Sequence, residues 1–311
     1  MRSTGYSRTT PHLGAERQHA NARMMSTKAL LRELGIRPQK ALGQNFLVDA
    51  RILQCILAAA EVSSADAVLE IGAGLGTLTE ALAERVHRLV AVEIDRCLVN
   101  FLRQRLAAFP NTRIVQGDIL SLDICQLLQR GRAEAVVPFK VVANIPYYIT
   151  SAVLRHLLET YVRPQLIVLM VQREVAQRIV ATQGQMSLLT VSVQFYGEPS
   201  ITGRVPAQAF YPVPNMDSAI VRIVPHDRLP LDGDDVAAFF RVVRAGFGQR
   251  RKQLRNSLAH GLALPVNLIA RTLAVAGIER QRRAQTLSVG EWVILYRALS
   301  SEMAPSVPDV I

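Results

Sequence analysis

The stretch that decides the fold is LEIGAGLGTLTEAL, residues 69–82. A short apolar run ends at Ile71, glycines follow at positions 72, 74 and 76, and a helix-like pattern begins directly after them. Glycine lets the backbone approach a ligand closely, and a strand–loop–helix unit presents such a loop at the carboxyl edge of a sheet. The stretch therefore predicts an α/β sheet with a site for a nucleoside-containing cofactor at that edge.

Strand-like and helix-like segments alternate from Asp66 to about Val171. Such alternation is typical of parallel strands covered by helices on both faces. Two later extended segments, around residues 192–205 and 217–224, are predicted to close the sheet as an antiparallel pair. The prediction is a doubly wound, Rossmann-like α/β sheet. Its parallel strands are expected at residues 67–72, 88–94, 112–118, 140–145 and 165–171, with helices among them at 77–86 and 96–109.

The chain is expected to comprise three segments. Residues 1–27 contain few acids and little apolar periodicity, which indicates a disordered arm, a transit-like segment or a translation start further downstream. Residues 28–226 hold the predicted sheet. After a stretch rich in Pro, Asp and Gly at 225–235, residues 227–311 show helical patterns without a further strong strand signal. We therefore predict a small, all-helical C-terminal domain.

Composition excludes several classes of protein. Of the 311 residues 50% are hydrophobic, yet no uncharged apolar run approaches the ~20 residues that a membrane-spanning helix requires. The three cysteines, Cys55, Cys97 and Cys125, are scattered without a CxxC pair, which argues against a disulfide framework or a zinc site. We therefore expect a soluble, cytoplasmic protein without a metal centre.

The positive charge of the chain is concentrated at its two ends. The formal net charge is +11, of which residues 1–40 carry +6, residues 41–225 carry +1 and residues 226–311 carry +4. Basic flanks around a neutral middle are typical of a protein that binds a polyanion such as nucleic acid. The alternative is solubility combined with a genome that favours arginine codons, since 32 Arg stand against 4 Lys.

Carboxylates at three strand ends indicate which cofactor the glycine loop serves. Glu93 follows Gly72 by 21 residues and is placed to accept hydrogen bonds from ribose hydroxyls. Dinucleotide sites prefer GxGxxG, whereas this loop is GxGxG with Thr77 at the position of the third glycine. Glu70 completes the E/DxGxGxG pattern common in S-adenosylmethionine sites, and Asp118 is placed to accept from an adenine amine. Each acid alone could be a solvated strand-end carboxylate, but together they favour S-adenosylmethionine over NAD.

The segment VVANIPYYIT, residues 141–150, closes the fourth predicted strand with an unusual turn. The amino group of adenine is a poor nucleophile because its lone pair is delocalised into the ring. Acceptors at the Asn144 side chain and the Ile145 carbonyl would bind both amino hydrogens and direct the lone pair toward a methyl donor. Pro146 would stiffen this turn, and Tyr147 would stack on a flipped base, so that positioning and electrostatics supply the catalysis. The alternative is a tight turn with tyrosines packed over the sheet edge.

Seven segments of the chain together resemble the KsgA (RsmA) family of ribosomal RNA adenine dimethyltransferases. The resemblance extends from about Arg37 to the final helices, with the motifs in the order and spacing of the family. It implies methylation of N6 of two adjacent adenosines near the 3′ end of 16S rRNA, in the small ribosomal subunit or its precursor, by a monomer with a role in subunit biogenesis. The segments are RPQKALGQNFLVD, LEIGAGLGTLTEAL, VAVEID, GDIL, NIPYYIT, FYPVPNMDSAIVRIVPH and FGQRRKQLRNSL.

The resemblance also implies functions for individual residues. Asn144 and Tyr147 belong to the target-base site, and Phe210 is expected to be the second ring around the flipped adenine, unless it is a core aromatic before a proline turn. Residues 248–256 are expected to contact the RNA backbone through Arg250, Arg251, Lys252 and Arg255, although a solvated cationic helix face is the alternative. The expected cofactor contacts are Asn45, Leu47, Gly72, Glu93, Asp118 and Asn144, to which the glycine loop adds Gly74.

Other functions stay open at this point. The main alternative enzyme is the erythromycin-resistance type of 23S rRNA adenine methyltransferase, although FGQRRKQLRNSL and the full helical tail favour the small subunit. A mitochondrial relative is possible if the N-terminal arm, which departs from the family pattern, is a transit peptide. A pre-30S assembly factor with little catalysis is a third alternative. An NAD oxidoreductase fits worst, because no proton-relay residue follows the glycine loop.

Overall fold

The computed structural model describes residues 27–39, 42–129, 137–249 and 251–303. The predicted arm therefore lies outside the described residues, except that Thr27 is the first residue of a helix. The strands are β1 (Phe46–Leu47), β2 (Ala67–Ile71), β3 (Arg88–Glu93), β4 (Thr112–Gln116), β5 (Phe139–Asn144), β6 (Leu166–Gln172), β7 (Gly197–Val205), β8 (Phe210–Tyr211) and β9 (Ser218–Pro225).

The central sheet has seven strands in the order β4-β3-β2-β5-β6-β9-β7. The first five of these are parallel, and β9 runs antiparallel to both β6 and β7. The predicted Rossmann-like α/β class is therefore confirmed. Because β4, β3, β2 and β5 are parallel neighbours, their carboxyl ends meet at one edge of the sheet.

The helices cover the sheet and then form the C-terminal part of the chain. The two helices predicted after the first and second sheet strands begin at the expected residues and end a few residues earlier than predicted. The helices are α1 (Thr27–Glu33), α2 (Ala50–Ala60), α3 (Thr77–Ala83), α4 (Arg96–Arg105), α5 (Ile124–Leu128), α6 (Thr150–Leu158), α7 (Arg173–Ile179), α8 (Leu188–Gln194), α9 (Asp234–Phe247), α10 (Leu254–Leu262), α11 (Val266–Val275) and α12 (Val289–Met303).

The structure corrects one of the predicted extended segments. Residues 192–194 belong to α8, and the strand predicted from 192 begins only at Gly197. The β-branched residues of this segment suggested a strand. A capping box overrides that preference, because the Ser187 side chain accepts from the Thr190 backbone and the Thr190 side chain accepts from the Ser187 backbone.

The core of the sheet is apolar on both faces. All five residues of β2 are buried, as are six of the seven in β6, which is expected where helices cover both sides of parallel strands. Glu70, the fourth residue of β2, is a buried acid within this apolar core and is 0% exposed.

The C-terminal helices pack against the sheet through one continuous apolar cluster. Phe195, at the end of α8, stacks on Phe239 of α9 with ring centroids 4.8 Å apart. Trp292 of α12 is fully buried and contacts α9 so closely that a Cβ at Gly246 would lie 2.3 Å from its ring. The predicted domain boundary between residues 226 and 227 stays a prediction. Within the described ranges, no helix is long and apolar enough to span a membrane.

Candidate cofactor and target-base site

The glycine loop after β2 has the backbone that its sequence predicts. Gly72, Gly74 and Gly76 have φ angles of +80°, +58° and +83°. A Cβ at Gly72 would lie 2.7 Å from the backbone oxygen of Asn144, so any other residue would collide there. The loop therefore lies directly against the end of β5, where the unusual turn begins.

Glu93 is held at the end of β3 by two backbone hydrogen bonds. One carboxylate oxygen accepts from the Gly74 N–H at 2.8 Å and the other from the Asp95 N–H at 3.0 Å. Burial raises the pKa of Glu93, and these hydrogen bonds act in the opposite direction. Because a carboxylate has about four acceptor sites, each oxygen can accept a further hydrogen bond from a ligand hydroxyl.

Asp95 joins the segment before β1 to this edge of the sheet. One of its oxygens caps α4 by accepting from the Cys97 N–H at 2.9 Å. The other accepts from the side-chain amides of Gln39 and Gln44 at 3.2 and 3.0 Å. Gln39 and Gln44 are thereby held at the carboxyl ends of the strands, where residues 42–46 form one wall of a cavity.

The cavity at this edge brings together most of the predicted site. Its lining includes predicted cofactor contacts from five different strand ends or loops, and all four residues of the predicted acceptor turn, with Asn144 belonging to both sets. The predicted residues that line it are Asn45, Gly72, Gly74, Glu93, Asp118, Asn144, Ile145, Pro146 and Tyr147. These residues are far apart in sequence, so the cavity depends on the strand order that places their ends together.

The structure does not place the side chains of Leu47 and Phe210 in this cavity. The two residues pair across β1 and β8 and are 8% and 2% exposed, within the apolar cluster beneath the sheet edge. Successive side chains of a strand point to opposite faces. Phe46 lines the cavity and packs in the same cluster as Tyr211, so Leu47 and Phe210 necessarily face the core. The buried position of Phe210 gives no support to the predicted stacking of its ring on a flipped base, which stays a prediction.

Asn144 ends β5 with its side chain in the cavity. Its amide nitrogen donates to the backbone oxygen of Asn45 at 3.4 Å, and the Asn45 amide in turn donates to Gly43 at 3.1 Å. Because its nitrogen is directed at the N-terminal loop, the Oδ1 atom is the group that can accept from a ligand. The predicted acceptor is thus oriented by a residue from the segment before β1.

The turn after Asn144 is held from both sides. A Cβ at Gly43 would lie 2.9 Å from the Pro146 ring, which shows how closely the N-terminal loop approaches this turn. The Tyr147 hydroxyl lies 2.6 Å from the Ser218 hydroxyl at the start of β9. Burial raises the pKa of Tyr147, so the phenol stays neutral. The Tyr147 ring is therefore fixed between the central sheet and the cavity.

Sequence reasoning missed the apolar walls of the cavity. Ile94 and Ile119 both line it, each directly after a predicted acid, Glu93 or Asp118. Asp118 uses one oxygen to cap a short 3₁₀ turn, accepting from the Leu120 N–H at 3.0 Å. The position immediately after each strand-end acid is the signal that would have identified these walls.

The residues of the cavity fit S-adenosylmethionine. The Glu93 oxygens retain acceptor sites for ribose hydroxyls, and Asp118 presents a carboxylate for an adenine amine. Ile94 and Ile119 supply apolar contact for a purine, and a side chain at Gly72 would collide with the adjoining strand end. Among the residues that the structure describes, no group of three or more His, Cys, Asp or Glu could hold a metal ion.

A family model described as ribosomal RNA adenine dimethylase matches residues 36–299. The chain belongs to this family. The match includes the glycine loop, the strand-end acids, the acceptor turn and the C-terminal helices. The predicted enzyme class, an S-adenosylmethionine-dependent methyltransferase of ribosomal RNA adenine, is thereby confirmed.

Individual relatives and solved structures agree with the family assignment. The chain is 46% identical over 272 residues to ribosomal RNA small subunit methyltransferase A of Dehalococcoides mccartyi, covering 88% of this chain and 92% of the relative. It is 45% identical to the protein of that name from Moorella thermoacetica, covering 88% and 96%. The 23S rRNA methyltransferase ErmE has a similar structure, with a TM-score of 0.65, 29% identity, and 82% and 100% coverage. A dimethyladenosine transferase from Plasmodium falciparum shares the fold at a TM-score of 0.71 and 23% identity, covering 83% and 98%.

Glu70, the first acid of the E/DxGxGxG pattern, does not line the cavity of this dimethylase. Neither of its oxygens has a hydrogen-bond partner of normal geometry. Burial raises the pKa of Glu70 to about 8, and the nearby Glu93 charge acts in the same direction. The buried Thr79 hydroxyl at the start of α3 lies near Glu70 and lowers its pKa, although the two side chains do not form a hydrogen bond of regular geometry. Glu70 therefore lies behind the glycine loop as a neutral acid near pH 7.

The predicted RNA contacts of the dimethylase lie at the start of α10. Arg251 and Lys252 are exposed, Arg255 is half-buried, and Arg250 lies outside the described residues. The Arg255 guanidinium donates to the neighbouring Asn256 side chain at 3.4 Å. These positions agree with an RNA-binding surface and equally with a solvated cationic face.

A second cleft of the dimethylase opens between α9, α10 and α12. Gly248 and Gln249, the first residues of the predicted RNA-contact segment 248–256, line it. Arg241 and Arg244 lie one helical turn apart on α9, and His260 of α10 also lines the cleft. Among the described residues that line the cleft there is no Asp or Glu, although the Tyr296 hydroxyl in its wall donates to Asp235 at 2.7 Å. Its other residues are mostly small or uncharged, namely Ala238, Val242, Ala245, Gly248, Gln249, Ser257, Gly261, Leu262, Tyr296, Leu299 and Ser300. Two guanidinium groups, of Arg241 and Arg244, and the imidazole of His260 are thus the basic side chains among the described residues of the cleft.

Proposed function

We propose that this enzyme transfers methyl groups to N6 of two adjacent adenosines near the 3′ end of 16S rRNA, in the small ribosomal subunit or its precursor. The small-subunit assignment rests on relatives of that name at 45% and 46% identity. The observation that carries the chemistry is the position of Asn144, whose free Oδ1 lies in the same cavity as Glu93. We also propose that the protein acts as a cytoplasmic monomer with a role in subunit biogenesis.

The acceptor turn would activate the target amine by hydrogen bonding. Bound S-adenosylmethionine supplies an electrophilic methyl group on sulfur. Asn144 Oδ1 and the Ile145 carbonyl would each accept a hydrogen bond from one N–H of the N6 amino group. This pair of hydrogen bonds favours a tetrahedral nitrogen with its lone pair directed into the cavity. Pro146 fixes the backbone that carries the carbonyl, and Tyr147 supplies a ring for the base.

The cavity supports catalysis by positioning rather than by a covalent nucleophile. Among the described residues that line it there is no His, Cys or Lys. Glu93 is bound by two backbone N–H groups and is assigned to the cofactor. The rate enhancement would therefore come from orientation of the amine and from the acceptor pair.

The helical part of the chain would bind the rRNA backbone. Residues 227–311 include the basic sequence segment 248–256 and the cleft lined by Arg241, Arg244 and His260. Guanidinium groups bind phosphates strongly, and Arg241 and Arg244 offer two of them in this cleft. We propose that these residues form the rRNA-binding domain.

The main rival function is methylation of 23S rRNA, because ErmE has a similar fold. The rival assignment has weaker support, since ErmE is 29% identical to this chain and the small-subunit relatives reach 46%. An assembly factor with little turnover is the other alternative. The intact acceptor turn and cavity argue against lost catalysis.

The test is to incubate the protein and labelled S-adenosylmethionine with small subunits from cells that lack the modification. Digestion to nucleosides should release labelled N6,N6-dimethyladenosine, and primer extension should stop at two adjacent positions near the 3′ end of 16S rRNA. The Asn144→Ala protein, which retains the Glu93 site, is the matched control. It should bind the donor more weakly, because one predicted contact is lost, and should transfer no methyl even at saturating donor. Label in 23S rRNA instead would establish the rival function.

A further inference from the structure

Two adjacent tyrosines in the acceptor turn have opposite environments. Tyr147 is partly buried and its hydroxyl is hydrogen-bonded to Ser218. Tyr148 also lines the cavity, yet it is 65% exposed. In the described part of the chain, no hydrogen bond is formed by the Tyr148 hydroxyl. The Tyr147 ring is thus fixed, whereas the Tyr148 ring presents a large apolar surface to solvent.

Tyr148 stands where the acceptor turn meets the N-terminal loop. It belongs to the 3₁₀ turn Tyr147–Ile149, which Pro146 precedes. Its ring edge, at Cε1, lies 3.5 Å from the position that a Cβ at Gly43 would occupy. Both segments line the cavity, so an exposed ring at their junction stands at its mouth.

We propose that Tyr148 stacks on the base adjacent to the adenine that enters the cavity. This inference rests on the proposed function, since it requires that an adenine is extruded from its stack. Extrusion leaves one face of the neighbouring base without its stacking partner. A ring exposed at the mouth of the cavity replaces that partner, and such stacking tolerates any base because every base has a π-face.

The assignment makes Tyr148 a positioning residue for RNA and not a contact for the cofactor. It would stabilise the strand on either side of the extruded nucleotide, so its loss should act on substrate use and spare donor binding. Tyr161 offers a matched control, because it is a tyrosine that is 98% exposed and does not line the cavity.

The experiment compares Tyr148→Ala, Tyr148→Trp and Tyr161→Ala with the wild-type protein on undermethylated small subunits. Tyr148→Ala should lower kcat/KM for subunits by about 5- to 150-fold, the range that loss of one base stack predicts. Most of the loss should appear in KM, and the Kd for S-adenosylmethionine should stay within about twofold. Tyr148→Trp should have a kcat/KM close to that of the wild type, unlike Tyr148→Ala, because an indole also stacks on bases. Tyr161→Ala should behave as wild type.

Three results would overturn the stacking role. Tyr148→Ala could match Tyr161→Ala, Tyr148→Trp could fail to restore activity, or the affinity for S-adenosylmethionine could fall together with kcat/KM. Failure of the wild-type protein to methylate small subunits would instead reject the proposed substrate. The same proteins would then be compared on 23S rRNA, since stacking requires only an extruded adenine.

Discussion

Replacing Glu70 by Gln should flatten the dependence of folding stability on pH. Burial raises the pKa of Glu70 in the folded protein to about 8, compared with an ordinary value of 4.5. Between these two values the folded state holds a proton that the unfolded state has released. Raising the pH through this window therefore favours unfolding, and the stabilisation present below pH 4.5 is progressively lost up to about pH 8.

The size of the effect follows from proton linkage. One proton released on unfolding lowers the free energy of unfolding by about 1.4 kcal/mol per pH unit. From pH 5 to pH 8 the wild-type protein should lose about 3 kcal/mol through Glu70 alone. Glutamine does not titrate, so Glu70→Gln adds a destabilisation that is the same at every pH and removes this slope.

Urea denaturation of both proteins at several pH values between 5 and 8 measures the difference. Subtracting the two curves cancels the titrating groups that do not interact with Glu70, which leaves Glu70 and its coupling to Glu93. The free energy of unfolding of the variant, relative to that of the wild type, should therefore increase as the pH rises. Glu174→Gln removes an exposed carboxylate from α7 and leaves Glu70 in place, so it should retain the pH dependence of the wild type. Parallel curves for wild type and Glu70→Gln would refute the argument, because they would show that the buried acid is already ionised.

Three further predictions concern the cavity and the RNA surface. Gly72→Ala should weaken S-adenosylmethionine binding by about 5- to 150-fold in calorimetry. Its Cβ would lie 2.7 Å from a backbone oxygen, and such strain costs about 1–3 kcal/mol. Gly184→Ala, with φ of +98° and nothing within 4 Å, should leave that affinity unchanged. Tyr147→Ala should keep the affinity for S-adenosylmethionine and lower kcat by about 10-fold or more. An equal decrease in that affinity and in kcat would contradict the assignment of Tyr147 to the target base. Replacing Arg251 and Lys252 by Ala should reduce the slope of log K for subunit binding against log salt by about 1 per lost phosphate contact. An unchanged slope would show that these two side chains are solvated and do not contact RNA.

The sequence predicted the sheet because its strands are short apolar runs separated by turns and by helices with apolar faces. The error at residues 192–194 arose because β-branched residues favour strands locally, whereas the capping box at Ser187 stabilises a helix through contacts that composition does not reveal. Strand-end positions such as Glu93 and Asn144 were predictable, since the ends of parallel strands meet at one edge. The orientation of Phe210 was not, because it depends on its pairing with β1, a strand of two residues more than 160 positions away.

The order of the strands also explains why this site can align a donor with an acceptor. Along the sheet edge, Asp118 follows β4, Glu93 ends β3, Gly72 follows β2 and Asn144 ends β5. S-adenosylmethionine carries its adenine, ribose and sulfonium in the same order. A cofactor bound along this edge with its adenine at Asp118 would have its methyl group on the side of Asn144, as the proposed function requires. The proposed alignment therefore depends on β5 lying directly beside β2, because only neighbouring strands bring the glycine loop against Asn144.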